Sequence, residues 1–359
     1  MFQIEMLPAD HGDCLWVQYG APDAPRRVLI DGGTAGTWKR LRKRILLEQA
    51  KSKVKQLHFE LFVVTHVDAD HIGGAINLLK ECAHLGVTFG DVWFNGWYHL
   101  DDQPPPPLKD ELGPLQGEEL STLIRSYPLA WNRAFAGRAV MVPKAGDLPV
   151  VDLHGLKLTL LSPTFAKLQA LKEVWQEKLA EAGLRTGDAY VATDVDEDGD
   201  ELGDDVNAIA GKAFKHDTTE ANGSSIAFLA EYDGKAVLFG ADAHAEVLLE
   251  SLERGANDDV SLPLAAFKVS HHGSQRNTNE ALVKALPARR YLISTNGSQF
   301  EHPDPEAIAR IAVHGPKGKQ LAFNYRTEFN QEWDSATRKA DFHYQTAYGD
   351  DVAGLTIEL

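Results

Sequence analysis

A chain of 359 residues, 43% of them hydrophobic and 25% charged, has enough apolar mass for one large globular domain or two smaller ones. Its formal net charge of -16 weighs against a surface that binds nucleic acid chiefly by neutralising phosphates, and leaves only a local basic groove for that role. Two cysteines, Cys14 and Cys82, argue against a disulfide framework and exclude a cysteine-built zinc finger, so a metal here must use His, Asp, Glu or Asn. No apolar run of about 18 residues occurs, and the amino end "MFQIEMLPADHGDCLWVQYG" has no basic region followed by an apolar one; the expectation is a cytoplasmic protein with no membrane segment.

In chain order, "FQIEML", "CLWVQY" and "RRVLIDGG" read as three strands joined by tight polar turns, the last ending at Asp31-Gly32-Gly33. "TWKRLRKRILLEQAKSK" is a basic amphipathic helix leading to the strand "ELFVVTH", and "HIGGAINLLKECAHLG" is a helix closed by Gly86. "DVWFNGW" follows as a strand. From about Tyr98 the texture changes to "HLDDQPPPPLKDELGPLQGEELSTLIRSY", so an insertion is expected over 98–215, between a first half at 1–97 and a second at 216–359. Within it, "RAVMVPKAGDLPVVDLHGLKLTLLSP" returns to strand alternation, and the sheet should resume there before a helix near "FAKLQALKEVWQEKLAEAG". After the acidic "DVDEDGDELGDD" come the strands "SSIAFLAEY" and "KAVLFGADA", the helix "HAEVLLESL", the strand "LAAFKVS" and the segment "HHGS". In both halves the strands end in polar residues that face helices, which gathers chemistry along one edge of a layered α/β structure.

"VVTHVDADHIGGA", residues 63–75, sets His66, Asp68, Asp70 and His71 within six positions. In a loop leaving a strand, side chains at alternate positions can converge on one point, and these four can furnish ligands to two neighbouring cations. Asp242 in "LFGADAH" and His271-His272 in "VSHHGS" stand where other apolar strands give out and extend the set. Imidazole with carboxylate suits zinc, manganese or iron, whereas magnesium prefers carboxylates and water. A single His or Asp at a strand end is ordinarily a turn former or a helix cap. Buried carboxylates in such number repel one another without a cation, which separates this cluster from turn chemistry.

These residues carry a resemblance. "THVDADHIGG" resembles the His-x-(His/Asp)-x-Asp-His motif of the metallo-β-lactamase superfamily, and "LIDGG", "LFGADA" and "VSHHGS" follow in that superfamily's order. The similarity is greatest to the ComEC/Rec2-like hydrolase domain and its stand-alone relatives, whose early Gly-Gln-Gly-Asp turn reads "DHGDCLWV" here and whose late Tyr-x-His-Pro-like element reads "FEHPDPEAIARI". It spans most of the chain outside roughly 98–215. The resemblance implies an α/β fold, the αββα four-layer sandwich, with two divalent metal ions, zinc or manganese, at one edge of the sheets. It implies that His66 and Asp68 bind one metal, that Asp70, His71 and His271 bind the other, and that Asp242 bridges them. The superfamily's usual third histidine has no clear counterpart in "HDTTEANGSSIAFL", where Asn222 stands nearest and His216 lies upstream. Asp68 with Asn222 makes the first site oxygen-rich and moves its preference toward manganese.

Two such cations share a water and lower its pKa toward neutrality, so neither Ser nor Cys is needed as nucleophile. The catalytic candidates are Asp70, His272 and His302, the imidazoles serving as acid or phosphate contact; the simpler alternatives are orientation of His271 and capping at a helix start. His11 and Asp13 stand in the early turn as outer support or turn formers, and Asp31 is expected to hold the metal loop. Asp194 to Asp205 follows the start of an EF-hand loop, but Asp205 at position twelve, Glu201 at an ordinarily apolar position and poor flanking helices favour a solvated acidic loop. "WKRLRKR", Trp38 to Arg44, is a basic substrate rim or an exposed helix face. The expected function is a metal-dependent phosphodiesterase or nuclease with a phosphodiester as substrate, DNA among the candidates. The alternatives are a hydrolase of a small phosphoester, lactone or amide, and a metal-stabilised interaction or sensor module.

Overall fold

The computed structural model describes residues 1–105, 116–181, 205–255 and 264–359. Alternating apolar residues at the amino end form β1 (Phe2–Met6), β2 (Leu15–Ala21) and β3 (Ala24–Ile30), paired antiparallel in succession. They are followed by α1 (Trp38–Ser52), β4 (Leu57–Phe59), β5 (Leu61–Val63), α2 (Ala69–Leu85), β6 (Val87–Phe89) and β7 (Val92–Trp93). As the periodicity predicts, α2 stops at Gly86, whose left-handed backbone (φ 67°) returns its N–H to the carbonyls of Cys82 and Ala83. Next come α3 (Gln116–Ser126), β8 (Val150–Leu153), β9 (Leu156–Ser162), α4 (Phe165–Glu181), α5 (Val206–Ala210) and α6 (Glu220–Gly223). The remainder is β10 (Ala227–Tyr232), β11 (Lys235–Phe239), α7 (Ala245–Gly255), β12 (Leu264–Lys268), α8 (Glu280–Ala285), β13 (Arg290–Ile293), α9 (Pro305–His314), β14 (Lys319–Phe323), α10 (Ala336–Asp341), β15 (Tyr344–Tyr348) and β16 (Leu355–Glu358).

Two sheets result, one ordered β16-β1-β2-β3-β5-β7 and the other β15-β14-β13-β12-β11-β10-β9-β8, beside a small β4-β6 pair. A core that includes Ile4, Val17, Ile30, Leu160, Phe228 and Phe239 fills the space between the sheets. A second core joins the first sheet to Leu41 and Ile45 of α1, Ile72 and Leu79 of α2 and Leu168 of α4; a third joins the second sheet to Leu248 of α7, Leu282 of α8 and Ile308 of α9. Helix, sheet, sheet, helix is therefore the layering, the αββα sandwich. Each buried Leu or Ile contributes about 1.5–3 kcal/mol.

The sheet does resume inside 98–215: β9 pairs antiparallel with β10, and β8 with β9. The same stretch sends Leu120 of α3 and Trp175 of α4 into the core beneath α2. Of the acidic stretch Asp194 to Asp205, only Asp205 is among the described residues; it caps α5 by accepting from the N–H groups of Asn207 and Ala208, and the EF-hand reading lies outside the described residues. Among the described residues no helix is long and apolar enough to cross a membrane.

Candidate metal centre

Strands β3 and β5 of one sheet and β11 and β12 of the other end on the same edge, and each releases a polar loop there. β3 delivers Asp31, β5 delivers Thr65 and His66, β11 delivers Asp242, and β12 delivers the turn Ser270–Gly273 with His271 and His272. The backbone is strained at these exits: Asp31, Ala241, His271 and His272 take φ of 59°, 45°, 48° and 53°. Non-glycine residues there cost about 1–3 kcal/mol each, and a cluster of them at one edge is what a preorganised site requires.

Asp68 occupies the N-cap position of α2 yet makes no side-chain cap hydrogen bond; its Oδ2 lies 3.4 Å from His66 Nε2. Asp70 and His71 sit in the first turn, where the positive end of the helix favours carboxylates by about 0.3–1 kcal/mol. Asp242 Oδ2 stands 3.3 Å from His71 Nε2, 3.5 Å from His272 Nε2 and 3.9 Å from His66 Nε2. Asp70 Oδ2 is 3.4 Å from His272 Nε2 and 3.7 Å from His71 Nε2.

The outer hydrogen bonds decide what these imidazoles present. His71 Nδ1–H donates to Asp31 Oδ2 at 2.9 Å, and His272 Nδ1–H donates to the Ser294 carbonyl at 2.8 Å. The Thr65 hydroxyl donates to Asp31 Oδ2 at 2.8 Å and so accepts from His66 Nδ1 at 3.0 Å. All three rings therefore direct Nε2 lone pairs into one space, with those of His71 and His272 only 3.2 Å apart. His66 Nε2 and Asp242 Oδ1 are buried without a hydrogen-bond partner. Convergent lone pairs at this spacing, beside carboxylates, fit cations held at about 2.0–2.2 Å. Among the described residues three overlapping groups have ligand atoms within 4.8 Å of one another: His66, His71 and Asp242; Asp70, His71 and His272; and Asp13, Asp31 and His71, the last made of carboxylates already bonded to Lys268 and to His71 Nδ1.

Charge supports the same reading. Burial disfavours the imidazolium forms of His71 and His272, but Asp242 raises both well above the ordinary histidine value, with Asp70 and Asp31 adding at His71 and Asp13 at His272. Burial likewise opposes ionisation of Asp242, yet His71 and His272 hold it well below the usual carboxylate range. The edge is thus an anionic pocket that gathers positive charge, which protons or metal ions can supply.

Of the two adjacent histidines it is His272, expected as an acid or phosphate contact, that the structure brings onto Asp70, His71 and Asp242. His271, expected as a ligand, lies outside that group: its Nδ1 donates to Asn277 Oδ1 at 2.9 Å and stands 3.6 Å from Asp217 Oδ2. Asn222 is buried beside it, with Nδ2 3.4 Å from His271 Nδ1. His302 is next to His271, ring centroids 5.3 Å apart, and its Nδ1–H donates to Asp304 at 2.9 Å. His216 is exposed and faces Glu246. Burial lowers the pKa of His11, against an upward pull from Asp70. Asp13 forms a buried ion pair with Lys268 at 2.7 Å while Oδ1 lies 3.6 Å from His272 Nδ1, an outer position rather than a ligand position. Its partner Lys268 was not singled out from the sequence, although a lone charge inside "LAAFKVS" is the signal; Asn277 and Ser294 offered none.

A model of the metallo-beta-lactamase superfamily matches residues 9–297. The chain belongs to the metallo-β-lactamase superfamily. No curated protein matches it. Solved structures similar to this superfamily member include a diphosphatase from the PhnP family, at 12% identity over 100% of this chain and 98% of the other (TM-score 0.39). YhfI from Bacillus subtilis, described as a metallo-beta-lactamase fold protein, is 9% identical with 100% of both chains covered (TM-score 0.39). CmlA, a diiron beta-hydroxylase from Streptomyces venezuelae, is 11% identical over 100% of this chain (TM-score 0.41), and this chain spans 54% of its length.

Proposed function

We propose that this metallo-β-lactamase superfamily member is a metal-dependent hydrolase of the ComEC/Rec2-like kind that acts on phosphodiesters. The observation that carries the reading is the convergence of three imidazole Nε2 atoms and three carboxylates on one buried edge. His66 and Asp68 would hold one cation and Asp70 and His272 the other, with Asp242 and His71 within reach of both. When bound, such a pair supplies Lewis acidity toward a phosphoryl oxygen and a nucleophile at neutral pH. Asp31, Thr65 and the Ser294 carbonyl keep the three rings in the tautomer that offers Nε2, and the Asp13–Lys268 pair backs His272 from beneath. His302, its Nδ1–H held by Asp304, is the candidate to contact a leaving oxygen through Nε2.

A smaller substrate is the second reading, and the basic helix favours it. Arg40 pairs with Asp10, Arg42 with Glu81, and Arg44 with Glu5 and Glu48, so three of the five cations in "WKRLRKR" already face carboxylates on the protein itself. A long polyanion therefore finds less basic surface there than the sequence offers. Metal analysis together with turnover of bis(p-nitrophenyl) phosphate, single-stranded and double-stranded DNA, and a simple lactone tests both. Metal-dependent cleavage of the phosphodiesters is expected. Lactone cleavage alone would overturn the phosphodiester assignment, and bound metal without any turnover would support the interaction or sensor module.

A further inference from the structure

A buried polar network beside the metal centre is not used by the mechanism above. Asp217, which precedes α6, accepts from the side-chain amides of Asn222 and Asn277 on one oxygen, both at 2.9 Å, and from the Thr219 N–H on the other at 2.9 Å. Both Nδ2 groups must face this carboxylate, because a reversed amide would set oxygen against oxygen. Asn277 is fixed twice over, since its Nδ2 also donates to the main-chain carbonyls of Asp242 and Ala243 at 3.1 and 3.3 Å. The two amide oxygens are consequently turned away from Asp217. That of Asn277 accepts from His271 Nδ1–H, which leaves Nε2 as the lone-pair nitrogen of that ring. That of Asn222 is buried without a hydrogen-bond partner, on a residue that is 0% exposed. An amide oxygen so placed is an unmet acceptor in a dry environment.

We propose that Asp217 is a positioning residue that makes Asn222 present its amide oxygen as a ligand to a divalent cation and, through Asn277, holds His271 in the tautomer that offers Nε2. The inference rests on the metal-dependent reading. Its chemical consequence is selectivity: an amide oxygen where an imidazole would otherwise stand tilts the site toward manganese and away from zinc.

The test uses the full chain, stripped with chelator and titrated separately with Mn2+ and Zn2+ by calorimetry. An amide at 217 cannot accept on both sides, so Asp217→Asn either sets its NH2 against the two asparagine amides and turns them over or takes the acceptor from the Thr219 N–H and disturbs the segment that carries Asn222. Asp217→Asn and Asn222→Leu should each weaken Mn2+ binding about 10–100-fold. Asn222→His should keep Zn2+ binding and lose the preference for Mn2+. Should Asp217→Asn fail to fold, the two Asn222 variants carry the test. Parent-like Mn2+ affinity in both Asn222 variants, or an equal loss of both metals in every variant, overturns the proposal, the second outcome marking a merely structural role. His71→Ala separates the two levels: if it too binds both metals like the parent, the metal-dependent reading itself falls, and if it alone loses metal, only the role of Asp217 and Asn222 falls.

Discussion

Asp31 joins the metal loop to its ligand with one carboxylate. It accepts from the Thr65 N–H and hydroxyl at 2.7 and 2.8 Å and from His71 Nδ1–H at 2.9 Å, and it is fully buried. Asp31→Asn would place an NH2 group where an acceptor must be, freeing His71 to present a proton at Nε2. We expect metal affinity to fall about 10–100-fold with the fold kept, as measured by chelator competition and circular dichroism. Unchanged affinity would remove His71 from the ligand set. Adjacent histidines give a sharper comparison. His272→Ala should release metal, whereas His271→Phe, away from Asp70 and Asp242, should leave the Asp70–His71–His272 group able to bind. Metal stoichiometry decides between them. At this scale the gathering of His66, Asp68, Asp70 and His71 was legible in their six-residue spacing, but which of His271 and His272 stands beside them was not. Both residues adopt left-handed backbone in one turn, and no periodicity describes where such a pair points.

Helix α2 is the element on which the centre depends, and its glycines set its position. A Cβ built on Gly74 would stand 2.0 Å from the Gly32 carbonyl oxygen, and one on Gly32 would stand 2.0 Å from the Ala75 nitrogen. "LIDGG" and "HIGG" therefore pack backbone against backbone: Gly32, Gly73 and Gly74 serve this contact, whereas Gly33 supplies a left-handed turn at φ 69°. Gly74→Ala in an isolated helix would stabilise it by nearly 1 kcal/mol. Here it should destabilise the protein by at least about 1–3 kcal/mol and weaken metal binding as well, because the helix must slide away from Asp31. A higher melting temperature in this variant would contradict the packing. Most long elements were legible because they carry many repeats of one period: α1, α2 and α7 each follow the predicted stretch, as do β10, β11 and β12. The short strands β13 to β16 were not predicted. At four or five residues they are little or no shorter than β11 and β12, so length alone does not separate them, and β16 joins the sheet through pairing with β1, about 350 residues away in the chain.

Across the whole molecule, buried titratable groups set the response to acid. Burial keeps His99 neutral down to about 4 against an ordinary value of 6.5, so the unfolded chain takes up this proton first and stability falls as pH drops from 6.5 toward 4. Burial would raise Glu48, but hydrogen bonds from Arg27 and Arg44 hold it at about 2 against 4.5, and the stability it adds above 4.5 is lost as pH falls toward 2. Each shift corresponds to about 3 kcal/mol at most. Melting curves between pH 7.5 and 4.5 should show His99→Gln with a flatter decline than the parent; identical slopes would mean that His99 is not held neutral. Glu48→Gln should cost about 3 kcal/mol at pH 7, because it leaves Arg27 and Arg44 without their buried partner. The sequence by itself determined the layered α/β class and the six-residue cluster of His66, Asp68, Asp70 and His71, since both follow from local periodicity and spacing. The support that Asp31 gives the loop was also legible, at the end of "LIDGG". Only the tertiary structure decided that His272 stands with this cluster, that Ser294 and the Asp13–Lys268 pair back it, and that the arginines of the basic helix are already paired. Most of those partners come from separate elements, and contacts between residues tens to hundreds of positions apart leave no pattern in a one-dimensional string.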